Sequence, residues 1–396
     1  QMLMKGHHGV KLDAESWRRI IAWIDLNAPC HGTWGEVVGP ERTRNDNERR
    51  LDLRRLYGGS IEDPEVYPAM MQAKIAPVRP EPTPGRRSKA PRLANWPFSA
   101  TEAKRRQAVA GPVHRVVDLG NDIELEMVLI PAGQFVMGDT SGCQDELPPT
   151  IVKIARPFWM SKFEVTNAVY ARFDPSHDSK YEHKGSWMFN EWDLGWDLNR
   201  PEQPVVRVSW EEAVAFCRWL SNRIGQQVSL PTEAQWEWAC RAGTDTPLYY
   251  GGLDTDFSAF GNMADLTMRE FVYDARDQYS PDLVPRDARF NDKRLVTTDV
   301  GSYRPNRWGL HDMHGNVWEW TRSMYEPYPY KANDGRNDVA DAGRRVVRGG
   351  SWYDRPKRCR SAFRLSYPAW RKVYNVGFRI VVESDIVDEQ FAKKDR

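Results

Sequence analysis

The residue types with the clearest metal chemistry lie between positions 311 and 319. His311 and His314 stand on either side of Asp312, and Glu319 follows five residues after the second histidine. Two imidazoles and one carboxylate are the ligand set of non-haem iron oxygenases. Side chains three residues apart share a face when the backbone is helical. An iron site at this position therefore requires a helix here.

The cysteines offer little redox or zinc chemistry. The chain has five of them, widely separated, with no C-x-x-C pair and no C-x-x-C-H sequence. This spacing argues against zinc ribbons, thioredoxin-like sites and covalently bound c-type haem. Cys217 lies on the apolar face of a predicted helix, where a thiol acts as a small buried hydrophobic group.

Composition and motifs narrow the functional classes further. Lys and Arg number 56 against 55 Asp and Glu, a net charge of +1, so the chain lacks the basic field that gathers nucleic acid. No run approaches the roughly 20 apolar residues that span a bilayer. The sequence has no G-x-S-x-G, no phosphate-binding glycine loop and no H-E-x-x-H. Hydrolase and nucleotide-binding functions have no support.

The elements that must position any site concentrate between residues 113 and 385. Ser209 with Glu212, and Thr232 with Gln235, form two capping boxes that predict two amphipathic helices, the first ending at Gly225. Residues 124–138 predict a hairpin turned at Pro-Ala-Gly. The region from 244 to 350 has little periodicity, so bound ions or buried aromatic side chains are expected to hold it unless it is disordered.

Composition divides the chain into four parts. Residues 1–75 predict a helical segment, interpreted as the tail of a larger preceding domain, and residues 76–112 a Pro- and Arg-rich linker with a short helix. Residues 113–385 predict an α+β domain with a large share of loop. Residues 386–396 form a charged tail. No internal repeat is present.

Eight ordered blocks resemble the formylglycine-generating enzyme (sulfatase-modifying factor) family. They lie within residues 125–382, about two thirds of the chain, and they are residues 130–138, 164–167, 204–210, 230–239, 309–310, 315–320, 348–352 and 377–379. The resemblance implies a C-type-lectin-like fold with little regular secondary structure. It does not by itself establish the reaction.

The same resemblance implies that copper is not expected here. Family members that make formylglycine hold copper(I) with two cysteine thiolates in the stretch after Gly-Gly-Ser, and soft thiolates suit that ion. In this chain Asp354 stands where the first thiolate would be, and Cys359 is the one thiol left in the stretch. An oxidase that uses Cys359, Ser351 and Arg364 with metal from elsewhere is the alternative function.

A disulfide is a second implication. The family's oxidases often bridge the helix that contains Cys240 here to the strand after the Gly-Gly-Ser stretch, so Cys240 and Cys359 are a candidate pair if their Cα atoms lie within about 7 Å. Such a bond would indicate folding in an oxidising compartment.

The resemblance also implies two calcium sites. The first takes the side chains of Asn262 and Asp292 with the carbonyls of Met263 and Arg294. Ligands of the second are the Asp312 and Glu319 side chains and the carbonyls of Gly315 and Val317. All are hard oxygen donors, which Ca²⁺ prefers. An ion-binding loop at 312–319 competes with the iron site considered above, and plain hydrogen-bonded turns are the alternative for both sets.

Two aromatic stretches are candidates for a ligand groove. One contains Trp187, Trp192, Trp196 and Tyr181. The other, in which aromatics alternate with charges, supplies the predicted groove residues Tyr353, Asp354, Arg355, Tyr367, Trp370 and Arg371. Exposed aromatic side chains beside Arg are typical of surfaces that recognise peptides or sugars.

Together these patterns predict a calcium-stabilised binding or accessory module for a peptide, protein or sugar ligand. Residues 23–34 resemble the tail of a domain found in large extracytoplasmic redox proteins. The chain is therefore expected to be the C-terminal part of a larger periplasmic or secreted protein, with no nucleic-acid partner. A purely structural interaction protein would instead bury the aromatics of residues 353–374.

Overall fold

The computed structural model describes residues 48, 51, 52, 55, 89–182, 195–269, 285–340 and 343–383. The chain divides into two units, Gln1–Arg86 and Arg87–Arg396, and the elements below belong to the second. This boundary falls within the predicted linker. The predicted N-terminal helix, the charged tail, Trp187 and Trp192 lie outside the described residues. Among the described helices, none has the length and apolar character needed to cross a membrane.

Short strands form most of the regular structure of the second unit. They are β1 (His114–Asp118), β2 (Glu124–Ile130), β3 (Gly133–Met137), β4 (Thr150–Ile154), β5 (Phe158–Ser161), β6 (Tyr181–Glu182), β7 (Trp196–Asp197), β8 (Val228–Ser229), β9 (Trp318–Met324), β10 (Arg344–Arg348), β11 (Leu365–Pro368), β12 (Val376–Gly377) and β13 (Val381–Glu383). A five-stranded sheet has the order β1-β2-β5-β13-β8, and a four-stranded sheet has the order β11-β10-β9-β12. The pairs β3-β4 and β6-β7 stand apart from these sheets.

The predicted hairpin over 124–138 is wrong in its pairing. Both strands form, but β2 pairs with β1 and β5, whereas β3 pairs with β4. Trp238 explains the separation, because its Nε1 donates to the Pro131 carbonyl at 2.8 Å. A Cβ on Gly133 would lie 2.7 Å from the same indole ring. The chain therefore passes around a buried tryptophan into another sheet.

Four α-helices of the second unit lie wholly within the described residues, and their caps follow the sequence. They are α1 (Ala100–Ala110), α2 (Asn167–Tyr170), α3 (Trp210–Ile224) and α4 (Glu233–Arg241). Both predicted capping boxes form, and Gly225 ends α3 in the left-handed conformation at φ 67°. Cys217 is buried on the inner face of α3, as predicted. The predicted α+β architecture is confirmed.

Buried aromatic side chains hold the irregular region that follows α4. Trp308 packs on Trp238 with ring centroids 5.0 Å apart, and its Nε1 donates to the Ala103 carbonyl at 3.2 Å. Asn306 Nδ2 donates to the Ala239 carbonyl at 2.7 Å. Such contacts stabilise loops whose backbone lacks a regular ladder. The segment around Asn306 and Trp308 is thus fixed by backbone carbonyls of α1 and α4 and by the Trp238 ring.

Candidate functional site

Asp354 is the centre of a buried polar network directly after β10. The carboxylate is 3% exposed. Its Oδ2 accepts from Trp318 Nε1 at 2.8 Å and from the Ser351 hydroxyl at 2.7 Å, and Oδ1 pairs with Arg358 Nη1 at 2.9 Å. Asn375 Nδ2 donates to Ser351 Oγ at 2.8 Å. Both carboxylate oxygens are partnered within the chain.

Cys359 lies beside this network as an inert thiol. Its side chain is fully buried, and its Sγ lies 3.6 Å from the Asp354 carbonyl oxygen. Burial, with the nearby Asp354 charge, raises the pKa of the Cys359 thiol well above its usual range, so the thiolate that metals and oxidants require is disfavoured. A Cβ on Gly350 would lie 2.3 Å from this sulfur, so only glycine fits there.

Arg364, the third predicted catalytic residue, has partners of its own. Its Nε and Nη2 contact the two carboxylate oxygens of Glu233 at 2.5 and 3.0 Å. Its Nη1 donates to the Asp145 carbonyl at 2.9 Å. The structure therefore groups Ser351 and Cys359 around Asp354, and it places the Arg364 guanidinium in an ion pair with the N-terminal residue of α4.

The predicted Cys240–Cys359 disulfide is not formed. Both cysteines are free thiols. Cys240 Sγ contacts His314 Nε2 at 3.7 Å and Ser361 Oγ at 3.5 Å, whereas Cys359 Sγ faces the Asp354 carbonyl. Burial raises the pKa of Cys240 to about 12. The two sulfurs have different neighbours, so the structure corrects the pairing that the resemblance implied.

The histidines do not assemble an iron site. His314 Nδ1 hydrogen-bonds the Cys359 carbonyl at 2.7 Å, and its Nε2 accepts from the Tyr249 amide at 3.0 Å. Burial lowers the pKa of His314 to about 3, which keeps the ring neutral. His311 Nδ1 bonds the Tyr303 carbonyl at 2.7 Å. No described helix covers this stretch, so the condition for an iron site is not met.

The first set of predicted calcium ligands contains an unpartnered oxygen. Asn262 is 1% exposed, and its Nδ2 donates to the Val296 carbonyl at 2.7 Å while its Oδ1 has no hydrogen-bond partner. Asp292 accepts from Tyr303 at 2.7 Å, and burial raises the pKa of its carboxyl to about 8. A buried unpartnered amide oxygen is costly unless something binds it. The residues present fit a hard cation.

The second set is built around Asp312 and Glu319. Asp312 Oδ2 accepts from the Gly301 amide at 2.7 Å, whereas its Oδ1 is buried without a partner. Glu319 is compensated by Arg379, whose Nε and Nη2 contact its two oxygens at 2.6 and 2.7 Å. Asp312 is therefore the better candidate of the two for charge compensation by an ion.

Glu164 is a buried acid beside this set that sequence reasoning did not assign. It is 1% exposed, its Oε1 accepts from Asn316 Nδ2 at 3.1 Å, and its Oε2 has no partner. Burial and the charge of Asp312 raise its pKa well above the usual range. Glu164 lies in the block 164–167 that carries the family resemblance, but nothing in that block pointed to residue 312.

The predicted groove residues separate into buried and exposed members. Trp370 is 68% exposed and lines a cleft of about 490 Å³ with Arg218 and Arg344. Arg355 and Arg371 are exposed, Tyr353 and Tyr367 are half-buried, and Asp354 is buried in the network above. The aromatics of this stretch are thus not all in the core. Trp370 is the most accessible of them.

Comparisons with known proteins assign residues 120–384 to one family of domains. A family model described as a sulfatase-modifying factor enzyme 1-like domain matches residues 120–384. The formylglycine-generating enzyme of Streptomyces coelicolor is 31% identical over 67% of this chain and 92% of its own length. The inactive C-alpha-formylglycine-generating enzyme 2 of Bos taurus is 29% identical over 67% of this chain and 90% of its own length.

Solved structures show the same fold. PvdO from Pseudomonas aeruginosa is 26% identical, with a TM-score of 0.54 that covers 69% of this chain and all of PvdO. Treponema denticola variable protein 1 has a TM-score of 0.53 at 19% identity over 69% of this chain and all of its own, a likeness in fold alone. The domain at 120–384 therefore has relatives named as active and as inactive enzymes.

Proposed function

The chain belongs to the sulfatase-modifying factor family and has its C-type-lectin-like fold, and we propose that this member is a binding or accessory domain without copper-dependent oxidase activity. The observation that carries this proposal is the network at Asp354. A carboxylate occupies the position that the resemblance assigns to the first thiolate, and its oxygens are used by Trp318, Ser351 and Arg358. One buried thiol at Cys359 cannot supply the thiolate pair that copper(I) prefers.

Calcium is the proposed cofactor. The unpartnered oxygens of Asn262 and Asp312 support it, since buried oxygen donors without hydrogen bonds are suited to a hard cation. Asp292 and the carbonyls of Met263 and Arg294 would complete the first site. Bound calcium would supply the charge compensation that these loops lack, and it would hold the irregular region in one conformation.

The proposed ligand is a peptide or sugar, and the proposed recognition surface is centred on Trp370. The exposed indole lies in a cleft with Arg218 and Arg344, and the exposed Arg371 follows it in the chain. An accessible aromatic face beside guanidinium groups gives both stacking and hydrogen-bonding capacity. The resemblance of residues 23–34 to extracytoplasmic redox proteins supports a place in a larger extracytoplasmic protein.

An anaerobic copper(I) titration against a competing chelator, with a count of alkylatable thiols in the native and unfolded protein, tests the proposal. We expect no copper uptake by the native protein and no alkylation of Cys359 until it unfolds. In parallel, a cysteine-containing peptide incubated with copper and oxygen should stay unoxidised. Stoichiometric copper bound through Cys359, or conversion of the peptide cysteine to an aldehyde, would establish the oxidase instead.

A further inference from the structure

β1 forms one edge of the five-stranded sheet, since β2 is its one neighbour among the described strands. The Val113 carbonyl accepts from the Leu129 amide at 3.1 Å. The Leu119 amide donates to the Ile123 carbonyl at 2.9 Å. Because main-chain groups alternate between the two sides of an antiparallel strand, the odd-numbered residues from 113 to 119 bond β2. The even-numbered residues of β1 direct their amides and carbonyls away from the sheet.

The outer edge of β1 is accessible and unpaired. His114, Val116 and Asp118 are exposed, and Val116 is 52% exposed. Within the described part of the chain, their main-chain amides and carbonyls form no hydrogen bond. An open strand edge can pair with another strand, and charged side chains are one means by which proteins limit such pairing. The charges at the two ends of β1 therefore select the strand that can pair with it.

The residues of β1 are complementary to those of a second β1. If two copies pair antiparallel about a two-fold axis at Val116, His114 of each copy faces Asp118 of the other. An imidazole then stands opposite a carboxylate at both ends, and the two Val116 side chains meet at the axis. All three residues fall at hydrogen-bonded positions of this pairing, where facing residues exchange two main-chain bonds.

Asp118 has no cationic partner in its own chain. Its neighbour across the β1–β2 ladder is Glu124, another exposed acid, and like charges directly opposite each other are destabilising. Its Oδ1 accepts from the Gly120 amide at 2.6 Å, and it forms no ion pair with a described residue. An imidazole can donate to a carboxylate and can carry a positive charge. The His114 of a second copy would therefore compensate Asp118.

We propose that the outer edge of β1 pairs antiparallel with the same edge of a second copy of this chain, which gives a two-fold symmetric dimer. Charge favours this arrangement, because a parallel one would bring like residues together. One strand of five residues makes a smaller contact than a standard interface, so the dimer should be weak and concentration-dependent. It uses none of the residues proposed for calcium or for the Trp370 surface.

Sedimentation velocity of the full chain at saturating calcium, over a wide range of protein concentration, tests the dimer. We expect a monomer–dimer equilibrium. Val116→Lys places two ammonium groups opposite each other at the axis and should weaken the dimer about tenfold or more. Ile151→Lys, at an exposed β-branched residue of β4 that is 43% accessible, is the matched control and should leave the equilibrium unchanged.

Two results of this experiment would overturn the proposal. A chain that stays monomeric at every concentration would leave the β1 edge to a strand of another protein. A dimer that forms equally well in Val116→Lys would use another surface.

A charge swap between copies tests the register and separates pairing from misfolding. His114→Asp alone faces Asp118 across the axis, and Asp118→Lys alone faces His114, so each variant should dimerise more weakly than the parent. A mixture of the two variants places a carboxylate opposite an ammonium group at one end and keeps the native pair at the other. The heterodimer should therefore form about tenfold more tightly than either homodimer. Absence of this recovery on mixing would overturn the antiparallel pairing.

Discussion

Two buried polar regions of this domain differ in how completely their oxygens are used. Around Asp354, each carboxylate oxygen has a partner, and the Ser351 hydroxyl both donates and accepts. In the loops after α4, Asn262 Oδ1 and Asp312 Oδ1 are buried without any partner. Because buried polar groups are normally paired, the Asp354 carboxylate is satisfied within the chain, whereas Asn262 and Asp312 each keep a buried oxygen that the proposed calcium ions would occupy.

Under the proposed function, the two regions differ in how far they keep the family pattern. The proposed calcium ligands are hard oxygen donors, and a carboxylate with internal hydrogen bonds stands where the resemblance places the first copper thiolate. Fold and reaction are separable within the family, since relatives of this chain are named both as the enzyme and as an inactive form of it.

The largest effect on stability is expected from removing the Asp354 carboxylate and its hydrogen bonds. Asp354→Ala leaves Trp318 Nε1, Ser351 Oγ and Arg358 without their acceptor, and it should lower the free energy of unfolding by about 3 to 5 kcal/mol. Urea denaturation measures this loss. Asp354→Asn, which keeps the shape and one acceptor, should cost clearly less. A loss below about 1 kcal/mol for alanine would mean that the network is not a stabilising unit.

Removal of calcium tests whether an ion stabilises the loops that contain Asn262 and Asp312. At a free concentration one hundred times the dissociation constant, a bound ion contributes about 2.7 kcal/mol of stability, so a chelator should lower the melting temperature by several degrees. Asn262→Ala should remove part of that response. Asn199→Ala, an exposed amide that bonds Asp178, should respond to the chelator as the parent does. Equal melting curves with calcium and with chelator would contradict the proposed sites.

His314 lies between the two regions and should make the fold acid-labile. Its pKa in the folded state is about 3 because the ring is buried, against about 6.5 in an unfolded chain. The unfolded state therefore takes up the proton first, and stability falls as pH drops below 6.5. From pH 6.5 to 5 this group alone should remove about 2 kcal/mol.

Glutamine can replace both hydrogen bonds of the ring without titrating. In His314→Gln, urea midpoints measured from pH 7 to 5 should therefore change less steeply than those of the parent. An unchanged slope would show that other groups control the acid response.

The smallest effect on stability is expected at Trp370. Because the indole is 68% exposed, Trp370→Ala should change the free energy of unfolding by less than about 0.5 kcal/mol. The same change should weaken the peptide or sugar ligand that a binding array identifies. Exposed Val116→Ala on β1 is the matched control. Full ligand affinity in Trp370→Ala would mean that the recognition surface lies elsewhere.

Local sequence signals predicted the helices well, because their caps are short-range. Ser209 with Glu212 and Thr232 with Gln235 bond within one turn, so spacing alone reveals them. The hairpin over 124–138 failed because Trp238, about a hundred residues away, separates its strands. No periodicity in 124–138 contains that information.

The residue types at the centre of the candidate site can be read from the sequence. The replacement at Asp354 is visible in the sequence, and so is the lone Cys359. The partners of these residues are not visible, since Trp318 and Asn375 come from β9 and from the turn before β12. The disulfide implied for Cys240 failed for a similar reason, because His314 and Ser361 occupy its surroundings.

The most direct test of the account compares copper(I) affinity of the native protein with that of Asp354→Cys under anaerobic conditions. We expect the native protein to leave copper with the competing chelator. The variant should take up one equivalent, because it restores a cysteine at the position that the resemblance assigns to the first copper thiolate. Tight stoichiometric binding by the native protein, unchanged in the variant, would contradict the account.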